Sequence, residues 1–385
     1  MVGTGSSIGT IRRGSGRSGF RARDLSAPWR HIDLGLLIVV GLIILFGSVL
    51  VFSATRRFDG GAGVVARQVV FTVLGLGAMA GIALLDYRRL ADWWPVLYLV
   101  SIAVLAGVLT PLGSTVNGTK GWYQLGPVAL QPAELAKLGS ILAVAAFLGS
   151  VDRVDLRRLA GALVLIGIPM GLTLLQPDLG SALVFIVIGL GMLVVGGVRL
   201  RDLLVLVLLG VVAVVGILQS DTLDDYQRDR LTSFANPEGA DPAVRYNVEQ
   251  AQTAISSGGL TGYGFGNGPS TRLGYVPAQQ TDFIFSVAGE EFGFVGAGTL
   301  IVLFAVLIWR VWRVAQLAAD KMGTLICVGV LSMLLFHVFE NIGMNLGIMP
   351  VTGIPLPFVS QGGSSMLASC VAIGLVQSVH MHRFS

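Results

Sequence analysis

The sequence predicts an all-α polytopic integral membrane protein with about ten transmembrane helices and a large extracytoplasmic loop before the eighth. Three observations carry this. Hydrophobic residues make up 54% of the chain and charged residues only 12%, with a mean hydropathy of +0.77, a balance that a single water-soluble core does not accommodate. Apolar stretches of roughly 20 residues, the length a hydrocarbon core requires, recur between Asp33 and Val379. Arginine and lysine collect in alternate connecting segments, as expected when positive charge stays on the cytoplasmic side.

Residues 1–31 are rich in Gly, Ser and Arg without apolar periodicity, and are expected to form a disordered basic cytoplasmic tail near anionic lipid. The remainder, 32–385, is expected to form one transmembrane domain. Its first apolar stretch is too long for a signal-peptide core and reads as an uncleaved anchor. The expected spans are 33–53, 68–85, 92–112, 133–149, 159–175, 179–198, 202–219, 282–308, 323–347 and 364–380. The basic segments hold Arg12 to Arg30, Arg88 and Arg89, Arg153 to Arg158, Arg199 and Arg201, Arg310 to Lys321, and Arg383. Both termini are therefore expected inside, with 54–67, 113–132, 220–281 and 348–363 outside. Cys327 and Cys370 fall within spans and read as packing residues rather than a disulfide. The net charge of +4 accompanies no nucleic-acid-binding motif. Membrane lipid is the expected surrounding partner.

Polar chemistry concentrates in the outer segments. Inward-running helices open with Arg67-Gln68, Gln131-Pro132-Ala133-Glu134, Gln176-Pro177-Asp178, Thr281-Asp282 and Gly362-Gly363-Ser364-Ser365. Ordinary capping explains each one singly. As a set, they place several positive helix ends at one membrane face, where an anion such as a phosphate would be favoured. Arg67 and Ser364 are candidate substrate-binding residues on this ground. Glu134 and Lys137 lie three apart on one helix and can pair, and ionisable groups within spans usually face a cavity or the bundle interior. Glu340 has no partner legible in sequence.

The stretch 347–365 is broken by Pro350, Pro355, Pro357 and Gly362-Gly363, so it forms either a tight outer turn or a re-entrant segment lining a cavity. The long segment 220–281 contains a predicted amphipathic helix over 247–256, on which Gln250 is a candidate substrate contact. Its many carboxylates read as solvated charges. Asp282 differs, because it stands at a helix start where it stays ionised as a base. No metal cage is visible, since His31, His337, His380 and His382 are scattered.

The chain resembles the SEDS family (shape, elongation, division and sporulation) along its whole transmembrane length. The resemblance rests on Asn117-Gly118-Thr119-Lys120-Gly121-Trp122, Gln131-Pro132-Ala133-Glu134-Leu135-Ala136-Lys137, Tyr226-Gln227-Arg228-Asp229-Arg230, Gln280-Thr281-Asp282-Phe283-Ile284-Phe285, and the run from Asn341-Ile342-Gly343-Met344 to Pro355-Leu356-Pro357-Phe358-Val359-Ser360. It implies ten spans in a bacterial cytoplasmic membrane and a glycosyltransferase that polymerises lipid II into peptidoglycan strands. It also implies an essential aspartate at Asp282, functional roles for Trp122, Glu134 and Lys137, and a class B penicillin-binding protein, a transpeptidase, as partner. The compact length and plain tail resemble the elongation type, RodA, more than the division type, FtsW.

This sequence departs from the family at Gly121, where an arginine usually stands, with Lys120 one position earlier, and at Gln361, where a tyrosine usually stands. Lysine lacks the guanidinium fork that grips phosphate at two points. The expected chemistry has Asp282 as base, with Arg67, Lys120 and Lys137 stabilising the departing pyrophosphate. No protein-held cofactor is evident, and a divalent cation (Mg or Mn) would arrive with the pyrophosphate. Trp122 would either stack on a sugar or anchor at the interface. A lipid II flippase or transporter and an idle scaffold for the transpeptidase are the competing classes.

Overall fold

The computed structural model describes residues 31–56, 61–116, 119–126, 128–219 and 242–384. The expected tail over 1–31 lies outside these residues except for His31, as do the first third of the long outer segment and its 226–230 motif. Each expected span corresponds to a helix: α1 (Leu34–Thr55), α2 (Gly61–Leu84), α4 (Trp94–Gly107), α5 (Pro132–Gly149), α6 (Leu156–Leu174), α7 (Leu179–Val195), α8 (Leu200–Gln219), α11 (Ile284–Leu317), α12 (Lys321–Asn345) and α13 (Gly363–Met381). Seven of these are long and apolar enough to cross a membrane by length and composition, and α4 and α7 are shorter apolar helices. Short or amphipathic helices complete the set: α3 (Tyr87–Asp92), α9 (Pro242–Ser257) and α10 (Pro269–Leu273).

The helices sort by burial. The apolar windows of α5 and α13 are each 78% buried within the protein, against 17% for α2, so α5 and α13 form the centre of the bundle while α2 turns most of its surface to lipid. α12 packs against α5, α7, α11 and α13, and α13 lies along α2. Small residues allow this proximity. At Gly47 of α1, an added Cβ would come within 2.5 Å of the Val359 backbone, so only glycine lets the chain near 359 lie directly on α1.

One region departs from the all-helical expectation, and a second is irregular as expected. The outer segment between α4 and α5 forms a three-stranded antiparallel sheet in the order β1 (Ser114–Val116), β2 (Thr119–Leu125), β3 (Val128–Leu130). Ser114 lies opposite Trp122, and Tyr123 opposite Leu130. Val, Thr, Trp and Tyr suit this pleated surface, but strands of three to seven residues are too short to show a period. The chain between α12 and α13 has no regular structure, yet Ile354, Leu356, Phe358 and Val359 are buried. Its backbone is satisfied by protein groups: Asn341 Nδ2 donates to Ile354 O (2.9 Å), Leu356 N to Ser360 Oγ (2.8 Å) and Gln361 N to Gln280 O (2.8 Å). That is the condition under which irregular backbone survives at depth, and it favours the re-entrant alternative.

At the opposite end, the α2–α3 junction is tied to α12. Tyr87 Oη donates to Asp320 Oδ2 (2.7 Å), Arg88 Nε pairs with the same oxygen (3.0 Å), and Asp320 Oδ1 caps α12 by accepting from Gly323 N (2.7 Å).

Candidate functional site

The sequence puts polar residues at the expected starts of five inward-running helices, and the structure brings those residues around one cavity of about 430 Å³, although Arg67 and Gln68 lie about two turns inside α2, which begins earlier than expected, at Gly61. Arg67 and Gln68 line it from α2, Glu134 and Lys137 from α5, Asp178 and Ser181 from α7, Thr281 and Asp282 from the turn before α11, and Ser364 and Ser365 from α13. Trp122 enters from β2, and Thr352 and Gly353 from the re-entrant chain. Three of the helix starts are joined by side chains. Gln131 Nε2 donates to Asp178 Oδ2 (3.1 Å), Asp178 Oδ1 caps α7 through Ser181 N (2.9 Å), and Gln131 N donates to Ser364 Oγ (2.9 Å). The starts of α5 and α13 have no side-chain cap, so their first-turn N–H groups remain anion-seeking.

Asp282 is half-buried and lies in the turn just ahead of α11, with its N–H on Ala278 O (3.1 Å). Its carbonyl accepts from both Asn341 Nδ2 (2.9 Å) and Asn345 Nδ2 (3.1 Å), two residues one helical turn apart on α12. The same turn is held from behind. Gln279 Nε2 donates to Ala54 O (3.0 Å) and Thr271 O (3.1 Å), and Thr271 is fixed by Glu290, whose carboxylate accepts from Ser270 N, Thr271 N and Thr271 Oγ1 at 2.6–2.8 Å. Gly353 faces the carboxylate. It adopts φ +74°, and an added Cβ would sit 3.5 Å from Asp282 Oδ2, so this wall is kept bare by a residue whose conformation favours glycine.

Lys137 and Glu134 form the expected pair, Nζ to Oε1 at 2.8 Å, with side chains 1% and 5% exposed. A third member was missed: His337 Nε2 lies 3.0 Å from Lys137 Nζ, and His337 Nδ1 lies 2.6 Å from Met333 O. A carbonyl can only accept, so Nδ1 carries the proton and Nε2 accepts from the ammonium. Glu134 and His337 thus take two of the three ammonium N–H groups, leaving one for the cavity. The histidine stands on another helix, 200 residues away in sequence, and nothing in local spacing links the two.

The remaining sequence candidates separate. Arg67 is exposed at the cavity rim and Ser364 is buried in its wall. Lys120 and Gln250 do not line the cavity: Lys120 Nζ donates to Leu109 O (2.9 Å), and half-buried Gln250 lies on α9. Glu340 is fully buried behind the wall, accepting from Thr352 Oγ1 (2.9 Å). Among the described residues, no three His, Cys, Asp or Glu side chains cluster as a metal site.

Fold and site together define a polytopic helical membrane protein with a polar, carboxylate-bearing cavity open toward one end of its bundle. Comparison with known proteins narrows that class. The family described as "Cell cycle protein" (FtsW, RodA, SpoVE) matches residues 30–385, and the chain belongs to it. It is 36% identical over 354 residues to the peptidoglycan glycosyltransferase MrdB of Escherichia coli (strain K12), covering 92% of this chain and 94% of the relative. It is 35% identical over 330 residues to stage V sporulation protein E of Bacillus subtilis (strain 168), covering 85% and 89%. Its fold is similar to the crystal structure of Thermus thermophilus rod shape determining protein RodA, with TM-score 0.69, 35% identity, and 93% and 99% of the two chains covered. It is also similar to a chain from a structure described as a peptidoglycan synthase complex coordinating polymerization and crosslinking, with TM-score 0.79, 35% identity, and 92% and 99% covered.

Proposed function

We propose that this protein is a peptidoglycan glycosyltransferase that polymerises lipid II at the outer face of a bacterial cytoplasmic membrane during cell elongation. The carrying observation is the convergence of Asp282, Trp122, Arg67, Lys137 and uncapped helix starts on one cavity at one end of the bundle. The carboxylate of Asp282 takes the proton of the acceptor sugar hydroxyl, that oxygen bonds to the anomeric carbon of the donor, and the bond to undecaprenyl pyrophosphate breaks with its electron pair on the departing phosphate. An α-linked donor and a β-linked polymer make this a single inverting displacement that needs one base. Lys137, Arg67 and the helix ends of α5 and α13 answer the leaving charge.

Of the cavity carboxylates, Glu134 is paired with Lys137 and Asp178 is engaged as a cap, which leaves Asp282 as the base. A divalent cation here would be held chiefly by the diphosphate, whose charge it would offset. Lys120 acts at longer range, its donor on Leu109 helping to hold the sheet over the cavity.

The distribution of arginine supports cytoplasmic termini. Similarity to a chain of a peptidoglycan synthase complex supports a class B penicillin-binding protein as partner, and similarity to MrdB and RodA supports the elongation role. Replacing Asp282 by Asn and measuring glycan formation from purified lipid II, with the partner transpeptidase present, tests the reading. Activity should fall by about 10²–10⁴-fold, and full retention removes Asp282 as the base. Lipid II translocation by reconstituted protein without polymer formation would instead identify a flippase.

A further inference from the structure

At the end of the bundle opposite the Asp282 cavity, where α1 begins and α11 and α13 end, a second cavity of about 230 Å³ is lined by Arg310, Arg313, Arg383, His380 and Asp33. Asp33 is already engaged, since its Oδ1 caps α1 through Leu36 N (3.0 Å) and accepts from Arg310 Nη1 (3.1 Å). Arg313 makes no hydrogen bond or ion pair among the described residues and lies over the Trp309 ring, 5.8 Å from its centroid. Arginine at the carboxyl ends of α11 and α13 suits the helix dipole. That accounts for arginine at each helix end, but not for the gathering of three guanidinium groups around one cavity.

The surroundings specify what would offset that charge. Ile32, Leu34, Val314 and Leu317 also line the cavity, and Leu34 and Leu317 are exposed beside it. Trp309, Trp312 and Phe384 are exposed at the same end, with Arg310 5.4 Å from the Trp309 centroid and Arg383 4.6 Å from that of Phe384. Exposed tryptophans mark headgroup depth in a bilayer, and a basic pocket between helices at that depth suits a lipid phosphate. Three guanidinium groups face one occupied carboxylate, which favours a net anion over a zwitterion. We propose that this cavity seats the phosphate of an acidic phospholipid headgroup, with the acyl chains lying over Leu34 and Leu317.

The test uses the full chain purified in detergent, with native mass spectrometry reading retained lipid after addition of phosphatidylglycerol or phosphatidylcholine, and with inorganic phosphate as a competitor. Wild-type protein should hold phosphatidylglycerol on the order of tenfold better than phosphatidylcholine. Arg313→Gln, which breaks no hydrogen bond or ion pair among the described residues, should weaken retention roughly fivefold, and Arg313→Gln with Arg383→Gln roughly thirtyfold. Equal retention of the two lipids by the wild type overturns the proposal, and this arm needs no variant. Unchanged preference in both variants, or full displacement of the lipid by millimolar phosphate, also overturns it.

Discussion

Replacing Lys137 with Met would leave the Glu134 carboxylate 5% exposed without its cation. Breaking a buried pair from one side costs about 3–5 kcal/mol, because the surviving charge loses its compensation in a medium that solvates it poorly. The two halves of this pair are not equivalent. In Glu134→Gln the ammonium keeps its bond to His337 Nε2, whereas in Lys137→Met the carboxylate loses the cation to which its Oε1 is bonded. Lys137→Met is therefore expected to destabilise more than Glu134→Gln, and the double variant to recover about 1–3 kcal/mol relative to the sum of the singles. Denaturant titration of the detergent-solubilised protein measures all three values. Polymerisation assays on the same preparations separate the second role, since Lys137→Met also removes the N–H left for the leaving diphosphate and should stay inactive even where the double variant regains stability. Additive single effects, or Lys137→Met with wild-type stability and turnover, would refute the reasoning.

Gly353→Ala forces a side chain into a left-handed conformation and places a methyl 3.5 Å from Asp282 Oδ2. It should lose roughly 1–2 kcal/mol of stability and show lower turnover in the lipid II assay. Asn341→Leu and Asn345→Leu each remove one donor to the Asp282 carbonyl, and kcat should fall more in the pair than in either alone. At the other membrane face, burial works to raise the Asp320 carboxyl, but the Gly323 N–H, the Tyr87 hydroxyl and the Arg88 guanidinium outweigh it and hold its pKa below the ordinary value. Its stabilisation is therefore present above about pH 4, the unfolded carboxyl value, and is lost as the pH falls through the lower folded value. The stability gap between wild type and Asp320→Asn should accordingly be constant near neutrality and close below pH 4 in pH-dependent melting.

The helical spans were legible because a hydrocarbon core demands long apolar runs, and such runs survive any uncertainty about neighbours. The convergence at the cavity was partly legible as well: positive charge alternates, so polar helix starts share a face, and Glu134 and Lys137 sit one turn apart. Contacts between distant segments were not legible. His337 meets Lys137, Asn341 and Asn345 meet Asp282, and Thr352 meets Glu340 only because helices pack side by side, which no local period encodes. Lys120 and Gln250 show the reverse problem. Residue type and loop membership suggested a ligand, whereas the folded chain directs the lysine to a backbone carbonyl and sets α9, which carries Gln250 and buries Ala251 and Ala254, against α11 and α12.

The knot formed by Gln131, Asp178 and Ser364 sets the spacing of three helix starts around the cavity, because those helices hold one another there. The sheet above is tied to α4 by Tyr123 Oη to Val104 O, to the turn after α4 by Lys120 Nζ to Leu109 O, and to α13 by Ser364 Oγ to Ala129 O. A catalyst whose product lengthens with every turnover must pass it between this awning and the helix ends beneath, and Ser364 is fastened to both.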